Sequence, residues 1–183
     1  MLKKIFLVFI AALFIFNQAL ASEVLKKDTK IGDNVYPQGT EVGYYGSKKI
    51  KWVLSARPLT INGLKCISNH TVVFYESGKL KSFRLTTQTT IDGIKCAANY
   101  LVELYESGKI RTASMAEPTK IQGIKVNCRD FVTFYEDGKL SGLMIQQPVE
   151  IKGKKYYPTR EIYLDHDGNV TDTKELDSGC NYY

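Results

Sequence analysis

The phrases Tyr75-Glu76-Ser77-Gly78-Lys79-Leu80, Tyr105-Glu106-Ser107-Gly108-Lys109-Ile110 and Tyr135-Glu136-Asp137-Gly138-Lys139-Leu140 are nearly interchangeable and stand thirty residues apart. Ile31, Ile61, Ile91, Ile121 and Ile151 keep the same period, without insertion, over five copies. A fixed period of this length marks one supersecondary unit stacked on itself. Each phrase is also a turn. Glu76-Ser77-Gly78 and its counterparts ending at Gly108, Gly138 and Gly168 read as three-residue hairpin loops, closed by a glycine in the left-handed region.

A second reversal follows each recurrent isoleucine, at Asn62-Gly63, Asp92-Gly93, Gln122-Gly123 and Lys152-Gly153. Such pairs favour the two-residue type I′ turn, in which both central residues need positive φ. The chain therefore reverses twice per period. The fold predicted is all-β: five hairpin repeats, about 31–60, 61–90, 91–120, 121–150 and 151–180, in a curved antiparallel meander. A β-solenoid-like coil with one rung per repeat is the alternative, and it would bring Cys66 and Cys96 together.

The loops fix the register. A three-residue loop pairs Phe74 with Leu80, and a two-residue loop pairs Ile91 with Ile94. The arms between them differ in length by one residue, so each repeat needs a β-bulge. The apolar pattern places it where the alternation slips, between Leu80 and Phe83 and again between Leu140 and Leu143. Period-two patterning puts Leu64, Cys66, Val72 and Phe74 on one face, with Lys65 outside. An arm of twelve residues would span about 40 Å if straight, longer than common strands. Each arm is therefore expected to bend near Ser68-Asn69-His70 and Thr86-Thr87-Gln88, folding the sheet over its apolar face.

The end copies differ from the middle ones. Tyr36 and Tyr156 replace the cysteine position, and Pro37 and Pro158 are expected to protect the outer arms from edge pairing. Lys48 stands where the other loops carry glycine, and Gly46 points to a shifted turn there.

Ahead of the repeats, Lys3 and Lys4, the apolar run Ile5 to Phe16 and Ala19-Leu20-Ala21 have the layout of a signal peptide cleaved after Ala21. The twelve-residue run makes about 18 Å of helix, short of a roughly 30 Å hydrocarbon core. Residues 22–183 then form a single exported domain, periplasmic, cell-surface or secreted. The formal charge of +6 falls to +4 when the two leader lysines are removed, and the remaining cations are scattered. Nucleic acid is not expected as a partner, and membrane contact has only weak support.

Cys66, Cys96, Cys128 and Cys180 are disulfide candidates in an exported chain, weighed evenly against buried core thiols. Two strand spacings, about 10 Å, separate Cys66 from Cys96 in a meander, beyond disulfide reach. With two histidines and no close cysteine pair, no metal site and no cofactor are expected. His70 falls in a bend and His166 in a hairpin turn, where it reads as a turn residue. No nucleophile–base set or phosphate loop occurs, so the chain is read as a non-enzyme.

Tyr45, Tyr75, Tyr105 and Tyr135 recur beside the hairpin loops and would stack as a ladder along one edge. Cross-strand packing beside a lysine accounts for them and is the favoured reading. The alternative is an aromatic strip that binds glycan or peptide. The hairpin phrases resemble the MORN-variant repeats of bacterial proteins, whose units carry an aromatic, a short polar pair, Gly, Lys and Leu. The likeness runs from Ile31 to about Val170. It implies sequential β-hairpins in an elongated curved sheet, and roles in scaffolding, surface attachment or protein and lipid contact. The function expected is an envelope or cell-surface binding or scaffold module with a protein or envelope component as partner. A secreted effector or hydrolase, and a peripheral membrane-associated protein, are the alternatives.

Overall fold

The computed structural model describes residues 22–158 and 160–175. The expected leader, its cleavage point after Ala21, and Cys180 lie outside the described residues. Among the described residues, eleven strands form one antiparallel sheet whose spatial order is their chain order, from Glu23–Val24 to Val170–Glu175. Five two-stranded ribbons accompany it, among them Leu59–Ile61 with Leu64–Cys66. Each unit is thus a ribbon followed by a hairpin of the main sheet, such as Thr71–Phe74 with Leu80–Arg84. The meander is open and antiparallel throughout, so a coil with one rung per repeat is not the arrangement.

The long arms bend where expected. The first arm breaks between Cys66 and Thr71 with Asn69 at φ 57°, and the second breaks between Arg84 and Thr89. Gly39, Asn99 and Arg129 take positive φ at the matching bends. Gly and Asn enter this region readily, whereas Arg129 does so under strain. Bending folds each ribbon back onto its hairpin, and the tips of both meet along one edge. There Lys152 Nζ donates to the Asp167 carbonyl at 2.9 Å, and the Leu140 amide donates to Gln122 Oε1 at 3.1 Å.

The core lies between ribbons and sheet. Val72, Phe74, Leu80, Phe83 and Leu85 come from the sheet side of one repeat, and Ile61 and Cys66 from its ribbon. Burying each large apolar side chain contributes about 1.5–3 kcal/mol, and neighbouring repeats share one cluster. No isolated ribbon could gather such a core.

The predicted register holds. Phe74 pairs with Leu80 and Ile91 with Ile94. Every main hairpin shifts register once; the extra residue is Lys51, Lys81, Arg111, Ser141 or Thr171. Asn62 (φ 50°) and Gly63 (φ 80°) both show the positive φ of the type I′ turn, and Gly93, Gly123 and Gly153 sit equivalently. Gly78, Gly108, Gly138 and Gly168 close the longer loops at φ 74° to 90°.

Two expectations fail. Lys48 itself adopts φ 64°, and its amide donates to the Tyr45 carbonyl at 2.9 Å, as Gly78 does to Tyr75. The turn is not shifted towards Gly46; the repeat geometry forces the left-handed conformation on lysine. Pro37 and Pro158 do not guard sheet edges either. They lie at bends, and the outermost strands of the main sheet among the described residues are Glu23–Val24 and Val170–Glu175.

Candidate binding face

Alternation sends one set of side chains from the main sheet into the core and the other outward. The outward set forms straight rows across the strands. In one row Gly43 pairs with Trp52, Trp52 with Val73, and Val73 with Ser82. It continues through Glu103, Thr112, Thr133 and Gly142 to Tyr163. A neighbouring row holds Leu54, Leu101, Phe131 and Met144, with Phe131 directly opposite Met144. These four are half-buried, as are Trp52 and Val73. Solvent-facing strand positions are ordinarily polar, so this face departs from the simple pattern.

The Trp52 indole lies over Gly43, where an added Cβ would come within 2.2 Å of the ring. The glycine is the space the ring occupies. Thr112 and Ser114 are buried on the outer side between longer neighbours, and the Thr112 hydroxyl donates to Glu103 at 2.8 Å.

The tyrosine ladder borders this face at the tip edge. Tyr45, Tyr75, Tyr105 and Tyr135 donate their hydroxyls to the carbonyls of Phe74, Leu104, Phe134 and Leu164, at 2.7 to 2.8 Å. Each ring thus fastens its own hairpin to the next one. Position 165, next in the series, is Asp165, whose carboxylate instead accepts from Asn169 and the Asp167 amide. Those bonds, chiefly from Asn169, hold the Asp165 carboxyl below its ordinary pKa.

Bulge residues complete the ladder. Lys51 Nζ lies 5.7 Å from the centroid of Tyr45, Lys81 Nζ 5.4 Å from that of Tyr75, and the Arg111 guanidinium 6.0 Å from that of Tyr105. In the fourth repeat Ser141 occupies the bulge, and His166 stacks on Tyr135 with centroids 3.9 Å apart. His166 also faces Asp137 at 3.6 Å, so it is more than a turn residue. Burial raises the Tyr75 phenol pKa, with Arg111 opposing and Glu106, Glu103 and Glu136 adding to the rise. Sequence reasoning named the tyrosines and expected a lysine beside them, but it did not place that cation at the bulge and missed Arg111, His166 and the carbonyl acceptors of the next hairpin. The available signal was a cation six residues after Tyr45, Tyr75 and Tyr105.

The remaining candidates stand apart from this face. Cys66 and Cys96 are free and fully buried, and burial pushes each thiol pKa up to about 11. Raised values make them inert as nucleophiles. Cys128 is a free, exposed thiol whose Sγ donates to the Ala116 carbonyl at 3.4 Å. His70 is exposed at its bend, with Nδ1 3.0 Å from the Ser68 carbonyl. A groove of 620 Å³ lies at the far end between Lys154–Pro158 and the last strand. Compared with known proteins, the chain matches no family model, no curated protein and no solved structure.

Proposed function

We propose that this is an exported, non-enzymatic binding or scaffold module that engages a protein or envelope component through the outer face of its main sheet. The observation that carries the reading is a face that no other described element covers. The ribbons blanket the inner side, while the outer side presents half-buried Trp52, Leu54, Leu101, Phe131 and Met144 in cross-strand rows. Repeat arrays offer extended contact surfaces of this kind. The resemblance of the hairpin phrases to MORN-variant repeats and the leader-like first 21 residues support the same reading.

The test is affinity capture from the source cell's envelope, comparing the wild type with a Phe131→Ser, Met144→Ser variant. Both side chains point outward, so the variant retains the core. Loss of a specific partner is the expected result. Undiminished capture would remove this face from the binding surface, and turnover of a peptide, glycan or ester substrate by the wild type would overturn the non-enzymatic reading.

A further inference from the structure

We infer that the tip edge of the outer face binds an acidic polypeptide in the polyproline II conformation, seating a carboxylate of every third residue on Lys51, Lys81 and Arg111 in turn. This deepens the binding-module reading and rests on it.

The cations form a row because each occupies the same bulge of successive hairpins. Repeats follow one another every two strands, so the row steps by about 9.6 Å. Each cation lies over a tyrosine ring, and each ring is anchored through its hydroxyl to the next hairpin. The positive groups are thereby held in place before any ligand arrives, which lowers the entropy lost on binding. None of the three is ion-paired to a described residue. Lys51 and Arg111 are exposed and Lys81 is half-buried.

Spacing selects the ligand. A polyproline II helix repeats every three residues with about 3.1 Å rise, so side chains of one face recur about every 9.3 Å. That matches the row within a few tenths of an ångström per step. A β-strand ligand fails, because residues three apart point to opposite sides. Charge alone would not suffice, since Glu103, Glu106 and Glu136 stand close to Tyr75 in the same region. The complementarity is between a periodic row of cations and a periodic row of carboxylates.

The experiment is fluorescence anisotropy of the purified full-length protein with a labelled peptide of repeating proline-proline-glutamate. A peptide of identical composition with its glutamates gathered in one block is the control. The in-register peptide should bind at least about fivefold more tightly, the worth of roughly 1 kcal/mol of exposed charge pairing. Lys81→Met with Arg111→Met keeps the apolar stems over the rings and should weaken binding about tenfold with an unchanged circular dichroism spectrum. Glu106→Gln should tighten it. Equal binding of the two peptides, or an unaffected methionine variant, would overturn the inference. So would preferential binding of an anionic glycan or of anionic lipid vesicles. Absence of peptide binding, while envelope capture still depends on Phe131 and Met144, would overturn it and leave the binding-module reading standing.

Discussion

The bends of the second and fourth repeats follow the same backbone path yet satisfy their amides differently. In the second repeat the Ile67 amide donates to the Arg84 carbonyl and the Thr86 amide to the Lys65 carbonyl, each at 2.9 Å. Ribbon and main strand are there bridged directly, with Cys66 opposite Leu85. In the fourth repeat a carboxylate intervenes. Asp130 is 0% exposed; its two oxygens accept the Asn127 and Gln146 amides at 2.7 Å each. The third repeat repeats the direct bridge, through Ala97 and Ala116. At the first, Pro37 has no amide proton to place. Buried backbone donors must be paired, and the repeats meet this requirement in three ways. The period therefore fixes the path, while the residue at each bend records a local solution.

The sharpest break in that comparison is Asp130→Ala. It strips partners from the Asn127 and Gln146 amides, which are part-buried, so each costs about 1–2 kcal/mol, the lower part of the range for an unpaired buried donor. A loss of roughly 2–4 kcal/mol is expected in denaturant unfolding. His70→Ala, at the equivalent position, should change stability by less than about 0.5 kcal/mol, because His70 is exposed. Tyr100, 38% exposed at the third bend, should behave like His70. Comparable losses at the three sites would mean that the bends are not solved differently.

The hairpin loops allow a second comparison. Gly108 sits at φ 90° with nothing within 4 Å of an added Cβ, so Gly108→Val meets a conformational penalty and no steric one. A β-branched residue in the left-handed region should cost about 2 kcal/mol. Lys48→Val should cost about half as much, because lysine at φ 64° already carries part of that strain. Equal shifts in melting temperature would contradict the shared turn geometry.

Much of the fold was legible because turn chemistry and alternation are local. Asn62-Gly63 and Glu76-Ser77-Gly78 set the register, and the slip between Leu80 and Phe83 located the bulge at Lys81. The bend near Asn69 followed from arm length alone. What sequence did not reveal are choices made across repeats. That Tyr75 reaches the Leu104 carbonyl depends on how hairpins stack, and no local pattern encodes a bond spanning 29 residues. The burial of Asp130 was equally hidden, since an aspartate in a bend ordinarily reads as solvated. Lys48 misled because its neighbour Gly46 offered a cheaper turn locally, and the stacked hairpins overrode it.

Tyr75→Phe sharpens the contrast between ring and hydroxyl within the ladder. It keeps the ring under Lys81 and removes only the bond to Leu104. A loss of about 1 kcal/mol is expected, the usual net worth of one hydrogen bond. The same change at Tyr135, where His166 stacks on the ring, should cost a similar amount through the lost bond to Leu164. A cost near zero at both would show that the rings, and not their hydroxyls, couple the repeats.

The smallest expected effect runs in the opposite direction. Lys48→Gly should stabilise the protein, because the left-handed conformation costs a side-chain-bearing residue about 1–2 kcal/mol. Against this, glycine loses more backbone freedom on folding, about 0.5–1 kcal/mol. The difference leaves a net gain of about 0.5 kcal/mol, readable as a rise in the denaturation midpoint at unchanged slope. Gly46→Ala is the matching control. Gly46 is not among the glycines with positive φ, and an added Cβ there meets nothing within 4 Å. Alanine at 46 should therefore be neutral or slightly stabilising. A turn shifted onto Gly46 would reverse both signs, with Lys48→Gly costing stability and Gly46→Ala costing more. The pair of variants decides whether the first repeat obeys the same loop as the other four or only imitates it.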